Sequence, residues 1–298
     1  MHKEKFLQKK DIKIVRRYLD IVKAIPSVSK EYIIRDSIIL RDVSMHAVKR
    51  NVNLHWWRMP YGKINIGDYL SWVIVEWMKK ERGITSDSSY NGKTQHLYAL
   101  GSIIDSGFQD ATVWGSGCLQ DHMYWWRKIR KLDICSVRGP LTREVLQKNG
   151  YKCPEIYGDP AILMPMIYKP KSIKKNKNYV VISHHSVQRE KGTLSPVTTD
   201  YKSFINKILE AELVISSSLH GIILAEAYGV PAVMLGNAQV DRFKYCDWYY
   251  STERYNFPVA LSIEEALCMK PACLPNLSAM TKQIGEAFPE KLWNKQNA

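Results

Sequence analysis

Short apolar runs in this chain end, one after another, on glycine or hydroxyl residues, and several then give way to residues with helical spacing. The pattern is plainest in LVISSSLHGIILAEAYGVPAVML, residues 213–235. There Leu213, Val214 and Ile215 run into three serines, then Leu219-His220-Gly221, then a periodic apolar stretch that breaks at Gly229-Val230-Pro231. Similar junctions stand at Asn65-Ile66-Gly67-Asp68, Gly115-Ser116-Gly117, Arg138-Gly139-Pro140 and Gly158-Asp159-Pro160. Buried strands that alternate with helices pair in parallel as βαβ units. The expected fold class is therefore α/β, with two Rossmann-like domains facing a cleft.

The boundaries follow from where this pattern starts and stops. Residues 1–50 form a basic amphipathic N-terminal arm, and residues 51–165 a first Rossmann-like domain. The polar, basic, proline-containing stretch 166–178 reads as a linker. Residues 179–298 form a second Rossmann-like domain with a C-terminal helical tail. Hydrophobic residues at 45% and charged residues at 24% supply an ordinary globular core.

The net charge of +14 is unevenly spread, since residues 1–50 hold half of it. Within residues 4–25, Ile14, Tyr18, Ile21, Val22 and Ile25 fall at helical spacing among six lysines and arginines from Lys9 to Lys23. Such a helix either lies on an anionic membrane surface or packs on the body with a solvated basic face. No zinc-finger spacing and no aromatic RNA-binding signature accompany the charge, so nucleic acid is not the expected partner. The six cysteines include no C-x-x-C pair and read as free thiols of a reducing compartment. The charged start lacks a signal-peptide apolar core, and no run approaches 18 apolar residues. The expected location is cytoplasmic, and peripheral on the inner membrane face if the basic helix lies on lipid.

In parallel α/β sheets, ligands bind beyond the carboxyl ends of the strands, which is where these junctions lie. At the last of them, Ser217, Ser218 and the first N–H groups of a helix opening at Leu219-His220-Gly221 outline an anion site. His220 adds a donor or a proton source. The alternative is that Ser217 caps the helix and His220 is a structural histidine. Arg138 either forks onto a phosphate or carboxylate, or pairs with a local acid. Asp68 either caps a helix or serves as a base. Asn65, Asp68, Ser116 and Asp159 are acceptor-side candidates, with Asp159 also a turn former. His184 and His185 are adjacent and, in a strand, would face opposite ways. No metal and no cofactor is expected.

Taken in order, NIGDYLS, WGSGCLQD, SVRGPLTREVLQKNGY, YGDPAIL and ISSSLHGIILAEAYGVPAVML resemble the polysaccharide pyruvyl transferase family over roughly residues 51–240. The resemblance implies a two-domain fold like that of GT-B glycosyltransferases. It also implies transfer of the enolpyruvyl unit of phosphoenolpyruvate onto a sugar of a cell-surface polysaccharide precursor, forming a cyclic pyruvate ketal and releasing phosphate. Phosphoenolpyruvate is then a co-substrate, and the saccharide acceptor is a candidate for lipid linkage. Arg138 matches the family's donor-binding arginine, and Leu219 and His220 match the end of an Arg-Leu-His triplet. Ser218 stands where that triplet has arginine, so serine hydroxyls and helix N–H groups, or a cation such as Arg127, Arg130 or Arg143, take its place. In this scheme His220 is the proton donor, Arg138 the main cation and Asp68 the base.

Two rival readings remain. A GT-B glycosyltransferase using a nucleotide sugar would place Glu226 on the ribose and His220 on the diphosphate. A non-catalytic relative would bind glycans without turnover.

Overall fold

The computed structural model describes residues 52–57, 63–84, 95–106, 110–123, 130–185, 192–236 and 242–293. The N-terminal arm, with residues 4–25, and Arg127 lie outside these.

The junctions are strands running into helices or turns. Val52–His55 (β1) leads to Ile66–Glu81 (α1), and Gln95–Tyr98 (β2) and Ala111–Trp114 (β3) follow. Leu132–Ser136 (β4) leads to Pro140–Lys148 (α2). A 3-10 turn at Pro160–Leu163 and the short helix Met164–Ile167 (α3) come next. Lys177–Ile182 (β5) then leads to Tyr201–Leu209 (α4), and Ala211–Ser216 (β6) to Leu219–Ala227 (α5). Ala232–Leu235 (β7) leads to Phe243–Ser251 (α6), Val259–Ala260 (β8) to Ile263–Cys268 (α7), and Ser278–Glu286 (α8) follows.

Local chemistry explains the helix ends. Asn65 caps α1 by accepting from Gly67 N, and Lys79 and Lys80 complement the dipole in its last turn. Pro140 opens α2, and Gly150, at φ +84°, follows its end. Asp200 caps α4, whose Phe204, Ile205 and Ile208 are buried. α5 differs, because every residue from Leu219 to Glu226 is buried. A helix buried on every side belongs inside a protein, and its two polar side chains, His220 and Glu226, must then find partners within the fold.

The strands form two sheets, both wholly parallel, in the orders β1-β2-β3-β4 and β5-β6-β7-β8. Register makes neighbouring strands stop together: Ile182 pairs with Ser216, and Ser216 with Met234. Strand order follows the chain in each sheet, so neither sheet contains an order reversal that would open a crevice within it. Carboxyl-end loops of the two sheets touch, with Asn65 bridging to Val197. Ile66 N, at the start of α1, donates to Pro196 O, beyond β5, at 2.7 Å.

One apolar core runs through both halves. It joins Ile66, Leu70, Trp114 and Ile162 to Ile205, Leu219, Ile222 and Trp248. Full burial of each such aliphatic side chain contributes about 1.5–3 kcal/mol. The segment after α3 is docked as well, since Tyr228 Oη donates to Tyr168 O at 2.7 Å and Tyr168 Oη to Asn206 Oδ1 at 2.9 Å. The C-terminal part returns to the first sheet: Trp114 Nε1 donates to Ile284 O at 2.9 Å, and Lys291 pairs with Asp133 at 2.7 Å.

Candidate active site

The β6–α5 junction is built by its serines. Ser216 Oγ donates to Ser218 O at 2.8 Å and accepts from Ser218 N at 3.0 Å, which turns the chain sharply at the end of β6. Gly221 clears that hydroxyl, for a Cβ there would lie 2.5 Å from Ser216 Oγ. Ser217 does not cap the helix. Its Oγ accepts from His184 N at 2.8 Å, and the N-cap is Ser218, which makes no side-chain capping bond. The first turn of α5 thus presents backbone N–H groups without a side-chain cap, and an anion is favoured there.

His220, in that turn, reaches across to the first sheet. Its Nδ1 lies 1.9 Å from where a Cβ on Gly67 would stand, so the imidazole packs on the bare backbone of α1. Its Nε2 lies 3.4 Å from Asp159 Oδ2. Both atoms are buried and neither makes a hydrogen bond. Asp159 is held from its other oxygen, since Oδ1 accepts from Ala161 N at 2.9 Å and caps the 3-10 turn. It is therefore a turn former whose second oxygen is left buried beside His220.

Asp68 completes the group. It sits in the first turn of α1 but does not cap it; Asn65 does. Burial pushes its carboxyl up to about 7, with Asp159 adding to the rise. The charges of His220 and Lys244 and a backbone hydrogen bond from Trp57 act the other way. Near neutral pH this carboxyl is poised to take or release a proton.

Arg138 lies outside this group. Its guanidinium is fully buried, with Nε donating to Asp247 Oδ2 at 3.0 Å, Nη1 to Ser102 Oγ at 2.6 Å and Nη2 to Cys118 O at 2.8 Å. Asp247 also accepts from Thr142 N at 2.9 Å and Thr142 Oγ1 at 2.6 Å. A Cβ on Gly117 would meet Arg138 Cζ at 2.3 Å. The arginine thus has an acid partner, though one brought from 109 residues away rather than a local one. It braces the ends of β2, β3 and β4 against α6. Ser116 and Asn65 also carry structural bonds, Ser116 Oγ donating to Gly101 O at 2.8 Å. Arg143 pairs with Glu155 at 3.0 Å, and Arg130 donates to Tyr98 Oη and Ile104 O. Neither of these two bonds the Asp68–His220 group.

Sequence reasoning missed the contribution of α6. Lys244, in its first turn, places Nζ 3.4 Å from His184 Nε2. His184 and His185 follow the end of β5 and are not in the strand, so the alternation rule does not separate them. Their ring centroids are 4.1 Å apart, and the Trp57 ring stands 5.1 Å from His185. Burial, then Lys244, holds His184 down to about 3 and His185 to about 4, so both rings are neutral at pH 7. The available signal was position: α6 follows β7, just as α5 follows β6. Among the described residues no three His, Cys, Asp or Glu side chains converge as a metal ligand set. No described helix is long and apolar enough to cross a membrane.

Glu226 is committed elsewhere. Arg254 engages both its oxygens at 2.6 and 2.8 Å, and Trp248 Nε1 donates to it at 2.8 Å.

Comparison with known proteins places these residues in a family context. The family model described as Polysaccharide pyruvyl transferase matches residues 65–239, more than half of the chain and the segment that holds Asp68, Asp159 and His220. The succinoglycan biosynthesis protein ExoV of Rhizobium meliloti (strain 1021) is 30% identical over 160 residues, 49% of this chain and 46% of that protein. The chain thus matches about half the length of this curated relative. A functionally uncharacterized protein of Klebsiella pneumoniae, solved as a crystal structure, covers 76% of this chain and 97% of its own at 13% identity, with a TM-score of 0.47.

Proposed function

The chain belongs to the polysaccharide pyruvyl transferase family, and from that premise we propose that it moves the enolpyruvyl unit of phosphoenolpyruvate onto a sugar of a cell-surface polysaccharide precursor. Two hydroxyls of the sugar then carry a cyclic pyruvate ketal, and phosphate leaves. The two parallel sheets are the two halves of a GT-B-like arrangement in this reading, and the acceptor is a lipid-linked sugar met at the inner membrane face.

The observation that carries the reading is the pair of buried, unbonded polar atoms, His220 Nε2 and Asp159 Oδ2, 3.4 Å apart at the N-terminus of α5 and electrostatically coupled to Asp68. Enolpyruvyl transfer needs an acid, a base and an anion site together. His220 protonates C3 of the donor, which leaves C2 oxocarbenium-like. A sugar hydroxyl adds at C2 and gives its proton to Asp68. The C2–O bond to phosphate breaks, and a second hydroxyl closes the ring. Of the two hydroxyl hydrogens, one replaces that delivered to C3 and the other ends on phosphate. The first-turn N–H groups of α5, those of Leu219, His220 and Gly221, stabilise the departing anion. Arg138 acts from its buried ion pair by fixing the loops around the donor.

The nucleotide-sugar alternative is disfavoured by Glu226, whose carboxylate is occupied by Arg254 and Trp248 and not open to a ribose. Ligand-induced thermal stabilisation tests the choice. A ligand at about 100 times its Kd adds roughly 2.7 kcal/mol. Phosphoenolpyruvate is expected to raise the melting temperature of the wild type and not of His220→Ala. Stabilisation by a nucleotide sugar with no response to phosphoenolpyruvate would overturn the reading.

A further inference from the structure

We infer that Lys244 is the cation that binds the phosphate of the donor; the inference rests on the pyruvyl-transfer reading above. A donor carrying a phosphate and a carboxylate needs positive charge beside the reacting atoms. Ser218 brings none to the first turn of α5, and Arg138 is fully buried on Asp247. Lys244 reaches the same place from the other helix. Its neighbour Tyr245 bonds Ser217 O, and its own Nζ meets His184, whose backbone N–H bonds Ser217 Oγ. Two successive residues of α6 are thereby tied to the loop that opens α5.

The charge is felt where the chemistry is. Lys244 is among the groups that oppose the rise of the Asp68 carboxyl and that disfavour charge on both histidines. His184 is one contact that orients the ammonium. An ammonium only donates, so the neutral ring must accept at Nε2 and carry its hydrogen on Nδ1. The imidazole therefore aims the ammonium from its accepting nitrogen. A compact ammonium suits a phosphate, which it binds as a point charge from many directions. With the N–H groups of α5 on one side and Lys244 on the other, the phosphate is held from two elements, and its departure does not depend on Arg138.

Calorimetric titration of phosphoenolpyruvate and of inorganic phosphate into the full chain at low salt tests this, for the wild type, Lys244→Met, Lys244→Gln and Lys244→Arg, with thermal melts alongside. The expected result is an approximately tenfold or greater loss of affinity for both ligands in Lys244→Met and Lys244→Gln, as for removal of a charged hydrogen bond. Lys244→Arg retains most of the binding. Wild-type affinity for phosphate in a folded Lys244→Met or Lys244→Gln protein would overturn the inference. Should Lys244→Met not fold, Lys244→Gln against Lys244→Arg gives the same decision. Lys244-dependent binding of phosphate without binding of phosphoenolpyruvate would retain the phosphate site and remove the pyruvyl-transfer reading.

Discussion

The His220 imidazole lies on the backbone of Gly67, so close that a Cβ at Gly67 would stand 1.9 Å from Nδ1. The glycine of the Asn65-Ile66-Gly67-Asp68 junction is therefore a seat for a histidine 153 positions later. A methyl group there forces the ring away from Asp159 or pushes α5 off α1. Gly67→Ala is expected to abolish turnover and to cost about 1–3 kcal/mol of stability, as overpacking does. Urea unfolding and an activity assay check this, and a fully active Gly67→Ala would show that His220 needs no such seat.

Asp68 makes the fold pay for its poised carboxyl. Its folded pKa, about 7, lies above the ordinary value of 3.8. Between those values the native state binds the proton more tightly than the unfolded chain, so this group lowers stability as pH rises from about 4 to 7. Asp68→Asn removes the penalty. At about 1.4 kcal/mol per pKa unit the gain above pH 7 is on the order of 4 kcal/mol at most, and it vanishes near pH 4. Urea midpoints of the two proteins at pH 4, 5.5 and 8 give the comparison. Activity is expected to fall in the variant while stability rises.

His184 and His185 act in the opposite sense. Their folded values, about 3 and about 4, lie below the ordinary 6.5. The unfolded chain takes up protons that the native rings refuse, so stability is lost as pH falls from 6.5 toward 4. The double variant His184→Gln/His185→Gln is expected to show a flatter stability profile across that range. An unchanged slope would mean that the rings are not held neutral.

The Arg138–Asp247 pair is buried on both sides. Removing one partner strands a charge, so Arg138→Ala is expected to destabilise by about 3–5 kcal/mol. Arg138→Lys keeps the charge but not the three-way bonding to Asp247, Ser102 and Cys118. A brace predicts that melting temperature and activity fall together in both variants. A drop in phosphoenolpyruvate affinity at unchanged melting temperature would instead put the guanidinium on the donor.

Several of these features were legible in the chain itself. Apolar runs ending on glycine and serine announce parallel strands, because such runs must be covered on both faces and their ends must open onto loops. The opening of α5 at Leu219-His220-Gly221 follows from local hydrogen bonding and backbone conformation, which neighbouring residues set. Local rules went astray where a residue had two local uses. Asp68 resembled a cap, but Asn65 took that task and left the carboxyl buried, with its charge set by that burial and by His220, Lys244 and Asp159. His184 and His185 fell just beyond the strand, where alternation ceases to apply.

The sequence by itself determined the α/β class, the order of the strand–helix junctions and the residues that stand at them, because periodicity and turn chemistry act over a few positions. Only the tertiary structure decided which junctions meet. His220 finds Gly67 and Asp159, Arg138 finds Asp247, and Lys244 finds His184. These pairings bridge 60 to 153 positions of the chain. They arise from how two sheets share one core, and burial then sets the charge of Asp68 and of the histidine pair, which no local pattern encodes.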